Sequence, residues 1–521
     1  MIIKPGHNNI QQNAALTFLT VLSALLFSLS FPGKSLWFFI FVFLLPFLYV
    51  LENSRSVRQK CFFGFLFGIL IAFGTGYWLI TAMTGHYSLA PITAISFFLF
   101  VIALPAGGLT ALFSMAYVLF KQQNLFFYAL FVPSCWTLYE YILEVIPVFT
   151  PWPLAGNAII PWNRFIQIAD ITGVYGLTYI IILINSLIFY GLYHVGPLSK
   201  KHLPAIAILL FSFLIPVMYG SFKQPHSGLL QNDKNKWIQS AVVVQGSIDL
   251  KERWHGLEFA SRLASYLDLT GKNRKASDKQ RIILWPETML NLPDKKKRDA
   301  VITRIKSSLG NNFILITGGL RTSETKNGFY NSAYVISDSA ETRWYDKKIL
   351  LPYTEYSPGG ILIGQFYNAP SEFLHGKLPQ IVQTASGNAG ISICFEVVYS
   401  NHVRKSVKYG AGFLANISND SWFGTSGMPE MHMNISRLRA VENRRFMLRS
   451  SNSGLSVIIA PDGRIIKQLG LNQKGAIISD IAVSDMLSFY TRYGNLIILF
   501  SISIVTLFFI SLFISKKTDS G

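Results

Sequence analysis

The sequence alternates long hydrophobic runs with polar breaks, and one long polar stretch separates the last run from the others. The apolar runs are Ala14–Phe31, Ser35–Leu51, Cys61–Ala82, Ile92–Phe120, Leu125–Ile146, Phe165–Val195, Leu203–Tyr219 and Gly494–Ile514. A helix needs about 20 mostly apolar residues to cross a bilayer. The pattern therefore predicts a membrane domain over 1–222 with seven spans. Residues 493–521 are predicted to form one more span and a short cytoplasmic tail.

The pattern changes in the polar stretch, 223–492, where short β-branched runs alternate with amphipathic segments. The predicted strands are Ile238–Gln245, Arg281–Trp285, Phe313–Thr317, Ala333–Ser337, Ala389–Cys394, Phe413–Ile417 and Ser456–Ala460. The predicted helices are Glu252–Leu269, Lys296–Ser308 and Pro429–Met447. Such alternation favours an α/β domain with buried strands, and this length can enclose a core of its own.

Composition and charge narrow the class of protein. Apolar residues make up 51% and charged residues 14%, against about 25% charged in a typical soluble domain. A wholly soluble or disordered chain is therefore excluded. The net charge of +19 is compatible with nucleic acid, an anionic membrane surface or an acidic ligand. The three cysteines, at positions 61, 135 and 394, are too few for a disulfide framework.

Basic residues in the short loops predict the orientation of the chain, because they are enriched on the cytoplasmic side. With the N-terminus in the cytoplasm, that side holds nine: Lys4, Arg55, Arg58, Lys60, Lys121, Lys200, Lys201, Lys516 and Lys517. The opposite side holds only Lys34 and Arg164. The polar domain is then predicted to lie outside the cytoplasm, which decides against nucleic acid as a partner.

Candidate chemistry lies where predicted strands end. Glu287 follows the strand that ends in Trp285-Pro286, Lys347 follows a short Trp-Tyr-Asp segment, and Cys394 ends an apolar strand. Each has an ordinary explanation, since a single cysteine at a strand end is more often a core residue than a nucleophile. Together they supply a base, a cation and a thiol, and a thiol with a pKa near 8.5 needs a base to react at neutral pH. A lysine can stabilise the oxyanion that its attack forms.

These segments resemble the Glu-Lys-Cys triad of the nitrilase superfamily, and the flanking spans narrow the resemblance to the apolipoprotein N-acyltransferase family. The matching segments are Trp285-Pro286-Glu287, Tyr345 to Lys347, Pro352 to Tyr356, Cys394 to Glu396, Ser418 to Gly424, Arg437 to Glu442, Arg449-Ser450 and Asn452 to Gly454. The resemblance implies a multi-span helical membrane domain plus an α/β nitrilase-like domain with an α-β-β-α sandwich fold.

The resemblance also implies roles and substrates. Glu287 would be the general base, Lys347 the oxyanion stabiliser and Cys394 the nucleophile. The supporting residues that it implies are Glu355, which orients the lysine, and Glu396 and Trp254 near the active site. A ping-pong reaction would move the sn-1 acyl chain of a phospholipid, through a thioester, to the N-terminal amine of an S-diacylglyceryl-cysteine apolipoprotein. The enzyme would be a multi-pass protein of the bacterial inner membrane, with its catalytic domain on the periplasmic side and the lipid bilayer as a partner.

Some positions depart from the family pattern. Phe395 stands where tyrosine is usual, Val397 where aspartate is usual, and Thr354 where glycine is common. The triad is unaffected, so these departures bear on substrate preference. His432 lacks a second ligand at metal-binding spacing, and no nucleotide-binding loop is present. Neither a metal nor a cofactor is therefore expected.

Two other functions remain open from the sequence. A membrane-tethered nitrilase-type amidase would use the same triad for hydrolysis, although eight spans are more than a tether needs. A non-catalytic transporter or lipid-binding protein would carry a degenerate nitrilase-like domain. The intact set of Glu287, Lys347 and Cys394 weighs against that second alternative.

Overall fold

The chain forms two compact units in a computed structural model. The structure describes residues 9–32, 36–120, 124–146, 149–195, 200–223, 237–248, 258–271, 280–292, 294–360, 373–377, 381–385 and 387–518. One unit contains the described residues up to Ile168, Thr172–Ser221 and the C-terminal segment from Asn495. The other contains Ala169–Ile171 and Phe222–Gly494.

The first unit is helical. Its elements before the polar stretch are α1 (Asn9–Leu29), α2 (Leu44–Asn53), α3 (Val57–Gly85), α4 (Pro91–Phe98), α5 (Leu104–Leu119), α6 (Val132–Val145), α7 (Ala155–Ala158), α8 (Ala169–Tyr190, whose first three residues group with the other unit) and α9 (Leu203–Lys223). A last helix, Leu496–Thr518, follows the polar stretch. Helices α3 and α5 pack so closely at Gly68 that a Cβ atom there would overlap Thr110 and the backbone of Ala106. The absence of a side chain at Gly68 permits this close packing.

Six helical stretches among the described residues are long and apolar enough to cross a membrane. They are Asn9–Leu29, Val57–Gly85, Pro91–Leu119, Phe165–Val195, Lys200–Lys223 and Leu496–Ile514. The predicted spans Ser35–Leu51 and Leu125–Ile146 correspond to shorter helices. The first corresponds to the interrupted stretch Trp37–Asn53. In the second, a π-helical turn precedes α6, where Pro133 provides no N–H group for a regular α-helical ladder.

The second unit contains two six-stranded sheets. The strands are β1 (Trp237–Gln245), β2 (Arg281–Leu284), β3 (Phe313–Thr322), β4 (Phe329–Ser337), β5 (Arg343–Asp346), β6 (Ile381–Val382), β7 (Ala389–Ile393), β8 (Phe413–Ser418), β9 (Met447–Ser451), β10 (Ser456–Ile459), β11 (Ile465–Leu469) and β12 (Gly475–Val483). Its helices are α10 (Glu258–Gly271), α11 (Lys295–Leu309), α12 (Ser400–Lys408), α13 (Met428–Asn443) and α14 (Phe489–Tyr493). The C-terminal helix of the first unit, Leu496–Thr518, is α15.

Both sheets have a parallel centre. The first has the order β12-β1-β2-β3-β4-β5, and the second has the order β11-β10-β9-β8-β7-β6. Strands β1, β2 and β3 run parallel, as do β7, β8 and β9, while the outer pairs are antiparallel. The carboxyl ends of neighbouring parallel strands lie at one edge of a sheet, which is where α/β proteins gather reactive side chains.

Alternating residues of the strands build two separate apolar layers. In β1, Ala241 and Val243 belong to the core between the two sheets, whereas Val242 and Val244 pack with α10 and α11. The period of two follows from the pleat of a strand. Helices α12 and α13 pack on the strands of the second sheet. The order of layers is helices, sheet, sheet, helices, so the predicted α-β-β-α sandwich is confirmed.

The predicted helix Pro429–Met447 is shorter in the structure. Helix α13 ends at Asn443, because Arg444 adopts the left-handed conformation that closes a helix, with φ 51° and ψ 48°. Met447 then begins β9, which lies between β8 and β10. This strand was not predicted, and it carries a buried arginine, Arg449, towards the candidate site.

Candidate active site

Cys394 lies at a sharp backbone turn after a buried strand. All five residues of β7 are buried, and Cys394 follows directly and begins a 3₁₀ turn, Cys394–Val398. Its φ of 52° falls in the left-handed region that residues with a side chain seldom adopt. Such a turn, between a strand and a helix, presents a nucleophile at the edge of a sheet.

Side chains from two other elements hold this turn. The carbonyl oxygen of Cys394 accepts hydrogen bonds from Asn416 Nδ2 of β8 and from His432 Nε2 of α13, each at 3.1 Å. The Oγ atom of Ser418, at the end of β8, lies 3.5 Å from the Cys394 Sγ atom. The unfavourable φ of Cys394 is therefore supported by hydrogen bonds from both neighbouring elements.

Glu287 is placed by the end of β2. Pro286 has no N–H group and ends the strand, while its carbonyl accepts from the Gly318 amide at 3.1 Å. A Cβ atom at Gly318 would lie 2.6 Å from Glu287 Cα, so only glycine lets β3 pass this close to the carboxylate-bearing backbone. The Glu287 side chain is buried, with 6% of its surface exposed.

Lys347 follows β5 and lies between two carboxylates. Its Nζ atom is 2.9 Å from Glu355 and 3.9 Å from Glu287 Oε1. Glu355 is itself fixed, because its Oε2 atom accepts from the Leu351 amide at 2.7 Å. A buried ammonium is stable only with such partners, and here it has two.

Asn331 of β4 also belongs to the site and was not predicted. Its Nδ2 atom donates to Glu287 Oε1 at 2.8 Å and to Glu355 Oε1 at 2.9 Å. The sequence held one usable signal, a polar Asn-Ser pair inside an otherwise apolar strand. The predicted strand begins at Ala333, so Asn331 lies outside it, whereas β4 begins at Phe329.

Burial and charge set the resting protonation of the triad. Burial raises the pKa of Glu287, which Lys347 opposes and Glu355 reinforces. Burial, followed by the Glu287 charge, raises the pKa of the Cys394 thiol to about 12, against the opposing effect of Lys347. Burial alone would lower the pKa of Lys347, but the charges of Glu355 and Glu287 outweigh it and raise that pKa. The thiol is therefore protonated at rest, and the buried Glu287 carboxylate, whose charge acts on it, can remove its proton as attack begins.

A buried polar network lies behind Cys394. Asp420 accepts from Ser418 Oγ at 2.7 Å and from Arg449 Nη2 at 2.5 Å, and it lies 3.0 Å from His432 Nδ1. Burial alone would raise the pKa of Asp420, but the Arg449 and His432 charges lower it strongly. Burial and the Arg449 charge lower the pKa of His432. This network fixes Ser418 and His432, two of the groups that contact Cys394.

Glu396 connects the lysine segment to the cysteine turn. Its Oε1 atom accepts from the hydroxyl of Tyr345 at 2.8 Å and from the amides of Lys348 and Ile349 at 2.7 and 3.0 Å. Its Oε2 atom accepts from the Ile393 amide at 2.9 Å. These bonds engage both oxygens, so the geometry gives Glu396 a bracing role beside the triad.

The structure thus brings Glu287, Lys347, Cys394 and Glu355 together in one cluster, with Glu396 immediately behind it. Trp254, the remaining predicted site residue, lies outside the described residues. Phe395 is buried, and its ring packs edge-on against Tyr399 with centroids 5.1 Å apart. Within the described ranges, no group of three or more His, Cys, Asp or Glu side chains has the arrangement of metal ligands.

Comparisons with known proteins give a match in each of the two units. The family model described as the apolipoprotein N-acyltransferase N-terminal domain matches residues 23–187. The model described as carbon-nitrogen hydrolase matches residues 241–490, which include every member of the cluster. Among solved structures, Nit3 of Saccharomyces cerevisiae, a member of the nitrilase superfamily, aligns with 47% of this chain and 90% of its own, at 17% identity and a TM-score of 0.37.

Similar full-length proteins carry both parts in the same order. An apolipoprotein N-acyltransferase of Wigglesworthia glossinidia brevipalpis is 27% identical over 510 residues, covering 94% of this chain and 96% of its own. One of Rickettsia prowazekii is 29% identical over 519 residues, with the same two coverages. Since the two family models together span most of the sequence and these relatives match nearly end to end, the chain belongs to the apolipoprotein N-acyltransferase family.

Proposed function

We propose that this membrane protein is an N-acyltransferase of lipoprotein maturation. It takes the sn-1 acyl chain of a phospholipid onto Cys394 and passes it to the N-terminal amine of an S-diacylglyceryl-cysteine apolipoprotein. Membership of the family supports the lipid and lipoprotein substrates. The cluster of Cys394, Glu287 and Lys347, with Glu355 holding the lysine, supports the chemistry.

The first half of the reaction forms a thioester. Glu287 takes the proton of the Cys394 thiol as the sulfur attacks the sn-1 ester carbonyl. Negative charge develops on the carbonyl oxygen, and the buried ammonium of Lys347 stabilises it. The glycerol oxygen then leaves with the proton from Glu287. Lysophospholipid departs, and the acyl chain stays on Cys394.

The second half reverses the roles. Glu287 is again a carboxylate and takes a proton from the attacking amine of the acceptor. The amine nitrogen forms an amide with the acyl carbon, and the Cys394 sulfur leaves and recovers a proton from Glu287. One base therefore serves both halves, which suits a carboxyl whose pKa is raised by burial.

The convergence of a thiol, a base and a cation from three different strand ends is the observation that carries this proposal. A structural cysteine needs neither a buried carboxylate nor a buried lysine nearby. The charges of Glu287 and Lys347 both act on the Cys394 thiol, and Lys347 Nζ lies 3.9 Å from Glu287 Oε1, so the three groups can act as one unit.

Transfer can be separated from hydrolysis by following the acyl chain. Purified protein is expected to accumulate an acyl-enzyme on Cys394 when it is given dioleoyl phosphatidylglycerol without an acceptor. Adding a diacylglyceryl-cysteine peptide should discharge the chain onto the peptide amine, because an amine is the better nucleophile towards a thioester. Mass spectrometry of the intact protein and of the peptide measures both steps.

The same experiment can also show hydrolysis instead of acyl transfer. A peptide whose N-terminal amine is acetylated is the matched control and should leave the acyl-enzyme in place. Release of free fatty acid at one rate with either peptide would mean that water resolves the thioester, and the protein would then be a hydrolase.

We further propose that the protein lies in the bacterial inner membrane with the catalytic unit on the periplasmic side. The unequal distribution of basic residues in the short loops supports this orientation. A phosphatase reporter that is active only outside the cytoplasm should be active when fused after Ser240 and silent when fused at Lys516. A reporter that folds only in the cytoplasm, fused at the same two positions, should give the reverse. An inactive phosphatase at Ser240 would contradict the orientation.

A further inference from the structure

The two oxygens of Glu287 have different surroundings. Oε1 accepts a hydrogen bond from Asn331 Nδ2 at 2.8 Å and lies 3.9 Å from the Lys347 ammonium. Both neighbours are N–H donors, and one of them is charged. A proton on Oε1 would face these donors, so the protonated form of the carboxyl is disfavoured at this oxygen.

The orientation of the Asn331 amide follows from its partners. Nδ2 is 2.8 Å from Glu287 Oε1 and 2.9 Å from Glu355 Oε1, and both partners are acceptors. The reverse orientation would place the amide oxygen against two carboxylate oxygens, so the nitrogen must lie here. One amide therefore connects the carboxylate that would act as base to the carboxylate that holds Lys347.

The backbone of Asn331 adds a contact that side-chain substitution leaves intact. Its carbonyl oxygen accepts from the Lys347 amide at 2.8 Å, so the lysine segment stays attached to β4 in any variant. Asn331 is buried, with 4% of its surface exposed. The side-chain amide can thus be tested separately from the fold.

We propose that Asn331 is a positioning residue that occupies Oε1 of Glu287, so that the proton of the Cys394 thiol is taken up by Oε2. This inference rests on the proposed function. The S–H bond breaks as the O–H bond forms on Oε2, and the thiolate attacks the ester carbonyl. The glycerol oxygen then leaves with the proton from Oε2. The proton is received and returned by one oxygen, and the Asn331 and Lys347 contacts of the other persist throughout.

The test is the pH dependence of acyl-enzyme formation in the Asn331→Asp and Asn331→Leu variants. Asn331 stabilises the ionised form of Glu287, so its loss raises the pKa of Glu287. The groups that face Glu287, namely Lys347, Glu355 and Cys394, remain in every variant. Activity requires ionised Glu287 and falls as pH decreases through its pKa. The acid limb of the profile, the pH range in which the rate of acyl-enzyme formation falls as pH decreases, should therefore move to higher pH by about one unit. At a given pH on that limb the rate should fall by about tenfold.

Ser332→Ala is the matched control. Ser332 is the next residue of the same strand and donates to Asp346 at 2.6 Å, so the control also removes a buried side-chain hydrogen bond. Its acid limb should stay in place. If the Asp variant does not fold, as judged by thermal unfolding in detergent, the Leu variant carries the test, because a neutral side chain of similar size adds no third carboxylate.

Two results would overturn the inference. The first is a rate that is reduced by the same factor at every pH, with no shift of the acid limb, which indicates a merely structural role. The second is an unchanged profile. Alkylation of Cys394 by iodoacetamide, followed by peptide mass spectrometry over the same pH range, should show the same shift without lipid. A wild-type enzyme that forms no acyl-enzyme contradicts the proposed function alone, while the alkylation profiles still decide for or against Asn331.

Discussion

Replacing Cys394 by alanine is expected to abolish acyl transfer, with a loss on the order of 10⁴-fold or more, as when a covalent nucleophile is removed from other enzymes. Among the described residues, no hydroxyl group is hydrogen-bonded to the Glu287 carboxylate, so no other side chain is in position to replace the thiol as the acylated group. The turn itself should survive, because alanine tolerates a φ of 52° no worse than cysteine does. The measurement is the mass of the protein after incubation with phospholipid, together with its thermal unfolding in detergent.

The effects of removing members of the triad should not add. Because Glu287 acts only by moving the Cys394 proton, the pair Glu287→Gln and Cys394→Ala should be little slower than Cys394→Ala alone. Cys61→Ser is the matched control, since it removes a thiol of the helical unit and should retain activity. Substantial transfer in Cys394→Ala, or an acyl adduct on Cys61 or Cys135, would rule out covalent catalysis at the proposed position.

Replacing Lys347 by methionine is expected to reduce both activity and stability. Loss of one oxyanion-stabilising group lowers the rate by about 10²- to 10³-fold. The change also leaves Glu287 and Glu355 buried without their shared cation, and breaking a buried ion pair costs about 3–5 kcal/mol. Without Lys347 the pKa of Glu287 rises further, so activity should also shift to higher pH. Single-turnover acylation against pH and denaturant unfolding measure these effects.

Lys348→Met provides the control for that variant. Lys348 is adjacent in sequence and more exposed than Lys347, and its amide, which donates to Glu396 at 2.7 Å, is unaffected by the substitution. Its rate and unfolding should match those of the wild type. If Lys347→Met acylates Cys394 at the wild-type rate, or Lys348→Met loses as much, Lys347 does not stabilise the oxyanion.

Strand ends are the part of the site that could be predicted from the sequence. Apolar runs that stop at Pro286 and at Ile393 indicate where two strands end, and polar residues placed there meet at the edge of a sheet. The same reasoning gives the α/β class, because alternating strands and amphipathic helices have few stable arrangements. The order of the strands, however, depends on pairings between distant segments.

Five strands were not predicted: β5, β6, β9, β11 and β12. β12 is a regular nine-residue strand that pairs with β1 along its whole length, but three of the others are irregular. β9 contains Arg449 and two serines, so it lacks the alternation of a half-buried strand. It is nevertheless fully buried, because Arg449 pairs with Asp420 within the network behind Cys394. β6 has only two residues, and β11 is an edge strand with an exposed middle. Local sequence carries little information about such strands, since tertiary partners stabilise them.

The sequence by itself determined the membrane character and the α/β class, and it predicted the three candidate side chains of the site, because each depends on residue type and local spacing. Only the tertiary structure decided that Asn331 bridges Glu287 and Glu355, that Glu396 braces the lysine segment, and that His432 contacts the carbonyl of Cys394. These contacts join residues 24 to 51 positions apart. Hydrogen bonds act over about 3 Å, so which distant polar groups meet depends on how the two sheets and their helices pack, which no local pattern encodes.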